Sequence, residues 1–329
     1  MTKHSEEHLL SLLRLQKGYI SGKILSKNTG ISTSGISKRI KTLRKYGYEV
    51  ESRHGMGYRL AGETNLPLPW ELIKVLDTSF VGRNKIIYRL TTDSTQNLAI
   101  LLAEKNPSSD GIVIIAGQQK SARGRQNRKW LSPMGGIWLS VILRPRISTS
   151  KITLLPFAAA LAVCDAIKKT TQLDAKLRWP NDVTIAGKKV AGILIDISME
   201  AERINYAVIG IGINANVDSS MISSYLEKSI KVTSLSDELG HKTNILGLTK
   251  VVLERLEYYY MELKRCIPHT IVEEWKKNSD ILHQKVAVVQ NNRTIQGIAV
   301  DVNDDGSLLV RINDSNNINV VANDIHVRY

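Results

Sequence analysis

Cysteine is nearly absent from this chain: 329 residues contain two, Cys164 and Cys266. Neither has a second cysteine at ligand spacing, and the seven histidines are scattered. That excludes a zinc site and a disulfide framework, and predicts a reduced, cytoplasmic protein. Long apolar runs are missing too. The longest, Ile152 to Cys164, is interrupted by Thr153 and Pro156, and the first seven residues, Met-Thr-Lys-His-Ser-Glu-Glu, carry no apolar core. Neither a signal peptide nor a membrane span is expected. No Gly-x-Ser-x-Gly, Walker loop or His-Glu-x-x-His occurs, so esterase-type, P-loop and metalloprotease chemistry lack support. Gly210-Ile-Gly-Ile-Asn-Ala215 does satisfy a dinucleotide-binding pattern. The residues after it, Asn216 to Ser220, open no helix, and no βαβ unit surrounds it, which argues against a nicotinamide or flavin site.

Acidic residues are scarce at the amino end. Residues 1–62 hold twelve Lys or Arg against four Glu, giving +8 of the total +14. A small basic domain is the footprint of phosphate-backbone binding, for DNA or RNA alike. The local pattern decides between them. Leu9, Leu10, Leu12, Leu13 and Leu15 predict a helix over 5–16, Ser21-Gly22 opens a second over 23–28, and Gly30 makes a turn. Ser32 then caps a third helix carrying Ile36, Ile40 and Leu43 through to Lys45. Two short strands, 48–52 and 58–60, flank His54-Gly55-Met56-Gly57, a hairpin tip. The expectation is a winged helix-turn-helix in which Ser32, Thr33, Ser34, Ser37, Lys38 and Lys41 meet DNA in a major groove.

At this length, with 43% apolar residues, the remainder is long enough for a substantial core. Leu66-Pro67-Leu68-Pro69 reads as a stiff linker, followed by a helix over 70–76. Strands are expected near 86–88, 112, 137, 175–179, 189–198 and 203–211, and helices over 96–104 and 154–171. Several strands adjoin without intervening helices, so the fold class is α+β with a mixed or antiparallel sheet. Four further strands at 286–289, 294–302, 307–312 and 317–321, punctuated by Asn291-Asn292 and Asp304-Asp305-Gly306, predict a small β-barrel.

Two segments carry chemistry. Arg178-Trp179-Pro180-Asn181-Asp182 precedes Gly187-Lys188-Lys189-Val190-Ala191-Gly192-Ile193-Leu194. Pro180 fixes its own φ and pushes Trp179 toward extended backbone, presenting Asn181 and Asp182 in one direction. The same residues are also good turn formers between strands. The second segment, Gln118 to Trp130, places Lys120, Arg123, Arg125, Arg128 and Lys129 within eleven residues. Five cations so close repel one another, arginine clamps phosphate or carboxylate with paired donors, and Gly124 permits close backbone approach. A solvated basic face is the plain alternative, but the run lies between two buried-looking strands.

With Thr92-Asp93-Ser94-Thr95 and Gly210-Ile211-Gly212-Ile213-Asn214 flanking them in chain order, these segments resemble the biotin protein ligases over nearly the whole chain. Members carry Asp-Ser-Thr-Asn, Gly-Arg-Gly-Arg-x-Gly-Arg-x-Trp, Lys-Trp-Pro-Asn-Asp, Lys-x-Ala-Gly-Ile-Leu and Gly-x-Gly-x-Asn blocks. Here Ala122 and Asn127 stand where the loop has glycine, Gln96-Asn97 replaces the Asn after Ser-Thr, and Arg178 replaces lysine. Alanine matters only if φ is positive at 122, asparagine tolerates the left-handed region, and a forked guanidinium is not a lysine.

The resemblance implies three domains: an operator-binding winged helix-turn-helix over 1–62, a catalytic domain over 63–280, and an SH3-like domain over 281–329. It implies that biotin attacks ATP, with Mg²⁺ and no metal-binding protein cluster, to form biotinyl-5′-adenylate. The acyl group then passes to a lysine of a biotin carboxyl carrier protein domain. By motif position, Ser94, Thr95, Gln96, Gln119, Arg123, Gly124, Arg125 and Arg178 hold biotin or its activated carboxyl. Arg128, Trp130, Asn181, Lys189 and Asn214 contact the adenylate, and Arg123, Arg125, Asp182 and Lys189 act in catalysis. Adenylate binding would promote a homodimer able to meet a palindromic operator. Two other readings stay open: a biotin-sensing repressor with a degenerate ligase domain, and a lipoate or octanoate ligase, whose Gly-rich and Arg-Arg motifs are missing.

Overall fold

The computed structural model describes residues 5–201, 203–225, 231–265, 268–290, 293–313, 316–321 and 326–328. Cys266 and the Asn291-Asn292 tip lie outside the described residues. The chain divides into two compact units, Met1–Glu71 and Leu72–Tyr329.

In the first unit, α1 (Ser5–Leu15), α2 (Gly22–Thr29) and α3 (Thr33–Lys45) surround Leu9, Leu10, Leu13, Leu25, Ile36, Ile40 and Leu43. None of these seven side chains is more than 1% exposed, and burial of each contributes roughly 1.5–3 kcal/mol to a unit with little else to hold it. Ser21 and Ser32 cap α2 and α3 by accepting from Ile24 N and Gly35 N, and Gly30 ends α2 at φ 68°. Strands β1 (Glu49–Arg53) and β2 (Gly57–Gly62) pair antiparallel, and Ile20 bridges Tyr58 beside them, which makes the wing. Only glycine fits at 57: a Cβ there would lie 2.0 Å from Ile20 O. Beneath the wing, Glu71 accepts from Tyr48 Oη at 2.6 Å and Arg14 Nη2 at 2.8 Å. Burial, reinforced by the bond to Glu71, pushes the Tyr48 hydroxyl well above the ordinary phenol range.

Helix α4 (Pro69–Val75) leads into the larger unit, whose order is β3 (Ile86–Thr92), α5 (Thr95–Lys105), β4 (Val113–Gln119), β5 (Ile137–Leu143), α6 (Thr149–Ile152) and α7 (Leu155–Thr171). There follow β6 (Ala175–Arg178), β7 (Asp182–Ile185), β8 (Lys188–Glu200), β9 (Arg203–Ile213), α8 (Ser219–Ser223), α9 (Leu235–Leu239), α10 (Ile245–Arg265) and α11 (Pro268–Lys277). The seven-stranded sheet runs β3-β4-β5-β9-β8-β7-β6, with β3 parallel to β4 and every other pair antiparallel. This is the mixed sheet expected from strands that follow one another without helices. Helix α7 is apolar nearly all round, with eleven of its 17 residues buried, because the sheet covers one side and α10 another. Helices α10 and α11 have no counterpart among the expected elements, although Leu248, Val252, Leu256, Tyr259 and Leu263 recur at helical spacing and are buried. Inside this core, burial pushes the Cys164 thiol up to about 12, so it packs as an inert group donating to Ala175 O.

The last strands, β10 (Lys285–Gln290), β11 (Arg293–Val302), β12 (Leu308–Asn313), β13 (Asn316–Val320) and β14 (His326–Arg328), form an antiparallel sheet in the order β13-β12-β11-β10-β14. Strand β14 extends the four that the sequence pattern predicts. Among the described residues no helix is long and apolar enough to cross a membrane.

Candidate functional site

The carboxyl ends of β4 and β9 and the start of α5 enclose one face of a cavity of about 230 Å³. The loop 121–130 and the segment 179–182 enclose the rest. Ser94 caps α5 by accepting from Asn97 N, which turns Thr95 and Gln96 toward the sheet. These three, each at most 4% exposed, form a polar floor. Gln119 Oε1 accepts from Thr95 N at 2.7 Å and from Thr95 Oγ1 at 3.1 Å, while Gln119 Nε2 donates to Ser132 Oγ. Ser140 Oγ donates to Gln96 Oε1 at 2.9 Å, and Gln96 Nε2 donates to Asp196 Oδ2 at 2.8 Å and Val208 O at 3.0 Å. A fully bonded floor of this kind fixes every side chain in one orientation, because a buried unpaired amide would cost about 1–3 kcal/mol.

The three arginines of the loop have separate partners. Arg123 Nη2 turns under the loop to Asp196 Oδ2 at 2.8 Å. Arg125 Nη1 donates to Asn181 Oδ1 at 3.3 Å, and Arg128 Nη2 to Gln126 Oε1 at 3.1 Å. The loop is closed by backbone bonds from Trp130 N to Ala122 O and from Gly124 N to Arg128 O. Its tip sits in the left-handed region at Gln126 (φ 54°) and Asn127 (φ 55°). Asparagine at 127 thus meets the backbone demand that glycine would otherwise meet. Ala122 is not among the residues of positive φ and is 7% exposed, so a methyl there is accommodated.

On the opposite wall, Ala186 (φ 48°) and Gly187 (φ 73°) make the tight turn that folds β7 onto β8. That pairing sets Asp182 beside Lys189: Nζ lies 2.6 Å from Oδ1, an ion pair without hydrogen-bond alignment. The Trp179–Pro180 peptide is cis. Asn181 Nδ2 donates to Ile193 O, and its carbonyl accepts from Ile193 N. Lys189 Nζ also sits 5.1 Å from the Trp130 ring centroid. The Trp130 ring lies on Gly192 and Gly212, where a Cβ would come within 3.1 and 2.7 Å of it, and a Cβ on Gly210 would lie 2.6 Å from Gln96 Oε1. The Gly210-x-Gly212 pattern therefore serves close approach of pocket side chains within β9, not a strand-to-helix phosphate turn.

Three buried polar atoms on cavity residues have no hydrogen-bond partner: Asp182 Oδ1, which has the Lys189 ion pair instead, and, with no ion pair either, the Trp130 Nε1 donor and the Asn214 Oδ1 acceptor, although Asn214 Nδ2 donates to Thr233 O. Such atoms are rare and mark a place for a ligand that offers both an acceptor and a donor. Five cations (Arg123, Arg125, Arg128, Lys129 and Lys189) and one carboxylate, Asp182, line the cavity among the described residues. The arrangement suits an anion-rich ligand with a flat polar head.

Of the candidate residues, Ser94, Thr95, Gln96, Gln119, Arg123, Gly124, Arg125, Arg128, Trp130, Asn181, Asp182, Lys189 and Asn214 are brought together here. Arg178 is not among the lining residues; its guanidinium pairs with Asp280 at 3.2 and 2.6 Å, a fork-to-carboxylate match that a lysine could not make. Asp196, Ser140 and Ser132 went unsuspected in the sequence, although an acid inside Gly192-Ile-Leu-Ile-Asp-Ile197 is a signal in itself. In the first unit, Thr33, Ser34, Lys38 and Lys41 are exposed on α3 and Ser37 is half-buried. Ser32 spends its hydroxyl as the helix cap. Among the described residues no three His, Cys, Asp or Glu are placed to hold a metal.

The Biotin/lipoate A/B protein ligase family matches residues 88–214, an HTH domain matches 5–59, and the Biotin protein ligase C terminal domain matches 281–328. The Bifunctional ligase/repressor BirA of Bacillus subtilis is 34% identical over 297 residues, 90% of each chain. Its Escherichia coli namesake is 27% identical over 294 residues, covering 88% of this chain and 87% of the relative. Among solved structures, the biotin protein ligase from Aquifex aeolicus in complex with biotin and ATP superposes with a TM-score of 0.63 at 26% identity, covering 74% of this chain and 98% of that one.

Proposed function

The chain belongs to the family of bifunctional biotin ligase/repressors, and on that premise we propose that its cavity joins biotin to the α-phosphate of ATP with release of pyrophosphate, then passes the acyl group to a lysine of a biotin carboxyl carrier domain with release of AMP. It is a biotin protein ligase with an amino-terminal helix-turn-helix. The observation that carries the reading is the cavity's composition: five cations, a single carboxylate, and a buried donor and acceptor left open on Trp130 and Asn214.

Biotin's carboxylate and the α-phosphate of ATP are both anionic, so the protein must bring like charges together and stabilise the charge that develops on phosphorus. Arg125, Arg128 and Lys189 supply the fixed positive potential. The floor of Ser94, Thr95 and Gln119 receives a polar head with no reorientation of its own. An adenine fits the unpartnered Trp130 Nε1 and Asn214 Oδ1, one asking for an acceptor and the other for a donor. Mg²⁺ brought by ATP would add charge neutralisation, and Asp182 is the carboxylate that lines the cavity among the described residues. In the transfer step Asp182 would steer the acceptor lysine, which attacks the acyl carbon as the free amine while AMP leaves. A closed loop 121–130 keeps water from the mixed anhydride.

The exposed face of α3 would read an operator, and adenylate-dependent pairing of two chains would present two such helices to DNA. We place the protein in the cytoplasm. An Ala122 outside the left-handed region, and an asparagine meeting the left-handed φ at 127, favour a working ligase over a degenerate sensor.

The test is pyrophosphate release by the full chain with Mg-ATP and biotin, with and without a carrier domain. Biotin-dependent release that turns over with carrier, and falls by about 10²-fold or more in Arg125→Ala, is the expected result. Biotin binding without release would sink the enzyme reading.

A further inference from the structure

Strand β6, which leads into the cavity segment 179–182, is fastened to the segment preceding the C-terminal sheet. Leu177 N donates to Asn278 O at 2.8 Å and Asp280 N to Leu177 O at 3.0 Å, so residues 278–280 add a short parallel rung to the outer edge of β6. From that rung the Asp280 carboxylate accepts from Arg178 Nε at 3.2 Å, from Arg178 Nη2 at 2.6 Å and from Thr184 Oγ1 at 2.7 Å. Arg178 Nη1 meanwhile donates to Gly187 O at 3.1 Å, in the turn that sends β8 toward Lys189. The next side chain, Trp179, is buried and donates Nε1 to Gly306 O at 3.0 Å, in the turn between β11 and β12. That turn rests against α7: a Cβ on Gly306 would lie 3.6 Å from Phe157 Cζ. The cavity wall begins at this tryptophan and continues with Pro180, Asn181 and Asp182. Two consecutive side chains therefore hold this wall from behind, and both holds come from the carboxyl-terminal part of the chain.

We propose that Arg178 is a positioning residue anchored by Asp280, not a group that touches biotin or its activated carboxyl. The geometry explains the side chain found there. Joining a bidentate carboxylate to a carbonyl on a third side takes several N–H donors fixed in one plane, which a guanidinium supplies and an ammonium does not. Thr184, on β7, pins the same carboxylate, so the pair locks β6, β7 and the β7–β8 turn into one frame for Asn181, Asp182 and Lys189. Loosening that frame displaces catalytic groups without removing any, and a displacement on the order of 1 Å costs up to about 10²-fold in rate.

The kinetic arm of the test rests on the ligase reading; the exchange arm does not. In the full chain, Arg178→Met and Asp280→Asn should each lower kcat of biotin-dependent pyrophosphate release by about tenfold, leave KM for biotin within about twofold, and in combination lower kcat no further. Asp280→Glu, which keeps the ion pair, should recover most of the loss. Independently, exchange of the Ile193 amide, bonded to Asn181 O, should quicken at least about tenfold in Asp280→Asn while amides of β4 and β5 keep their rates. A rise in biotin KM in Arg178→Met with Asp280→Asn silent would make Arg178 a ligand contact and overturn the proposal. So would an unaltered Ile193 amide in Asp280→Asn. Wild-type protein that releases no pyrophosphate would instead refute the ligase reading, and the exchange measurement would still decide the role of Arg178.

Discussion

Helix α7 and the loop 121–130 are opposite solutions in one unit. In α7, residue after residue is apolar, small and buried, so position follows from volume: Ala158 to Val163 are all fully covered. The loop exposes its tip at 126–129, carries four cations, and is held by backbone bonds and by polar partners of its arginines. The core is determined by what it excludes from water, the loop by charges that await an anion. A substitution in α7 should therefore cost stability and spare chemistry, and one around the loop should do the reverse.

The strongest way to break that contrast is at Gly212. Gly212→Val drives a branched side chain into Trp130, and biotin-dependent pyrophosphate release should fall by about 10²-fold or more while the thermal midpoint stays close to wild type. A large drop in midpoint would mean that the site and the core share their support. On the other side, Leu161→Ala in α7 should cost about 2–5 kcal/mol in urea unfolding, with kcat per folded molecule unchanged.

Glu257 sharpens the comparison, being a polar group that serves the fold. Burial alone would push its carboxyl up, but bonds from the Ser79, Val81 and Phe80 amides and the Ser79 hydroxyl outweigh burial and hold it below the ordinary range. A depressed folded-state value means that its stabilisation is full above the unfolded carboxyl's range and is lost as pH falls through the folded value. Glu257→Gln should be less stable than wild type at neutral pH, and the gap should close on acidification, as followed by thermal melts across pH 7 to 3. The smallest effect is expected at the loop tip. Asn127→Gly should alter stability by less than about 1 kcal/mol and leave adenylation intact, since both residues accept φ 55°.

The same contrast governs how much was legible beforehand. The helix-turn-helix could be read because Ser32, Gly30 and the Ile36, Ile40, Leu43 spacing are local signals, and the structure places the helices within a residue or so. The mixed sheet followed from strands in immediate succession. Helix α10 was missed although its apolar spacing is regular. Around the cavity, motif residues announced themselves by type, whereas their partners did not. Asp196 and Ser140 act through pairings between strands distant in sequence, and Asp280 lies about a hundred positions from Arg178. Long-range pairing, not residue chemistry, was the hidden part.

The most direct test of the account is a crystal structure of the chain with biotin and ATP. The account predicts biotinyl-adenylate in the cavity, its base within hydrogen-bond distance of Trp130 Nε1 and Asn214 Oδ1, and Arg125 turned from Asn181 toward the phosphate. A ligand bound elsewhere, or in the cavity with those two atoms still unpartnered, would contradict it.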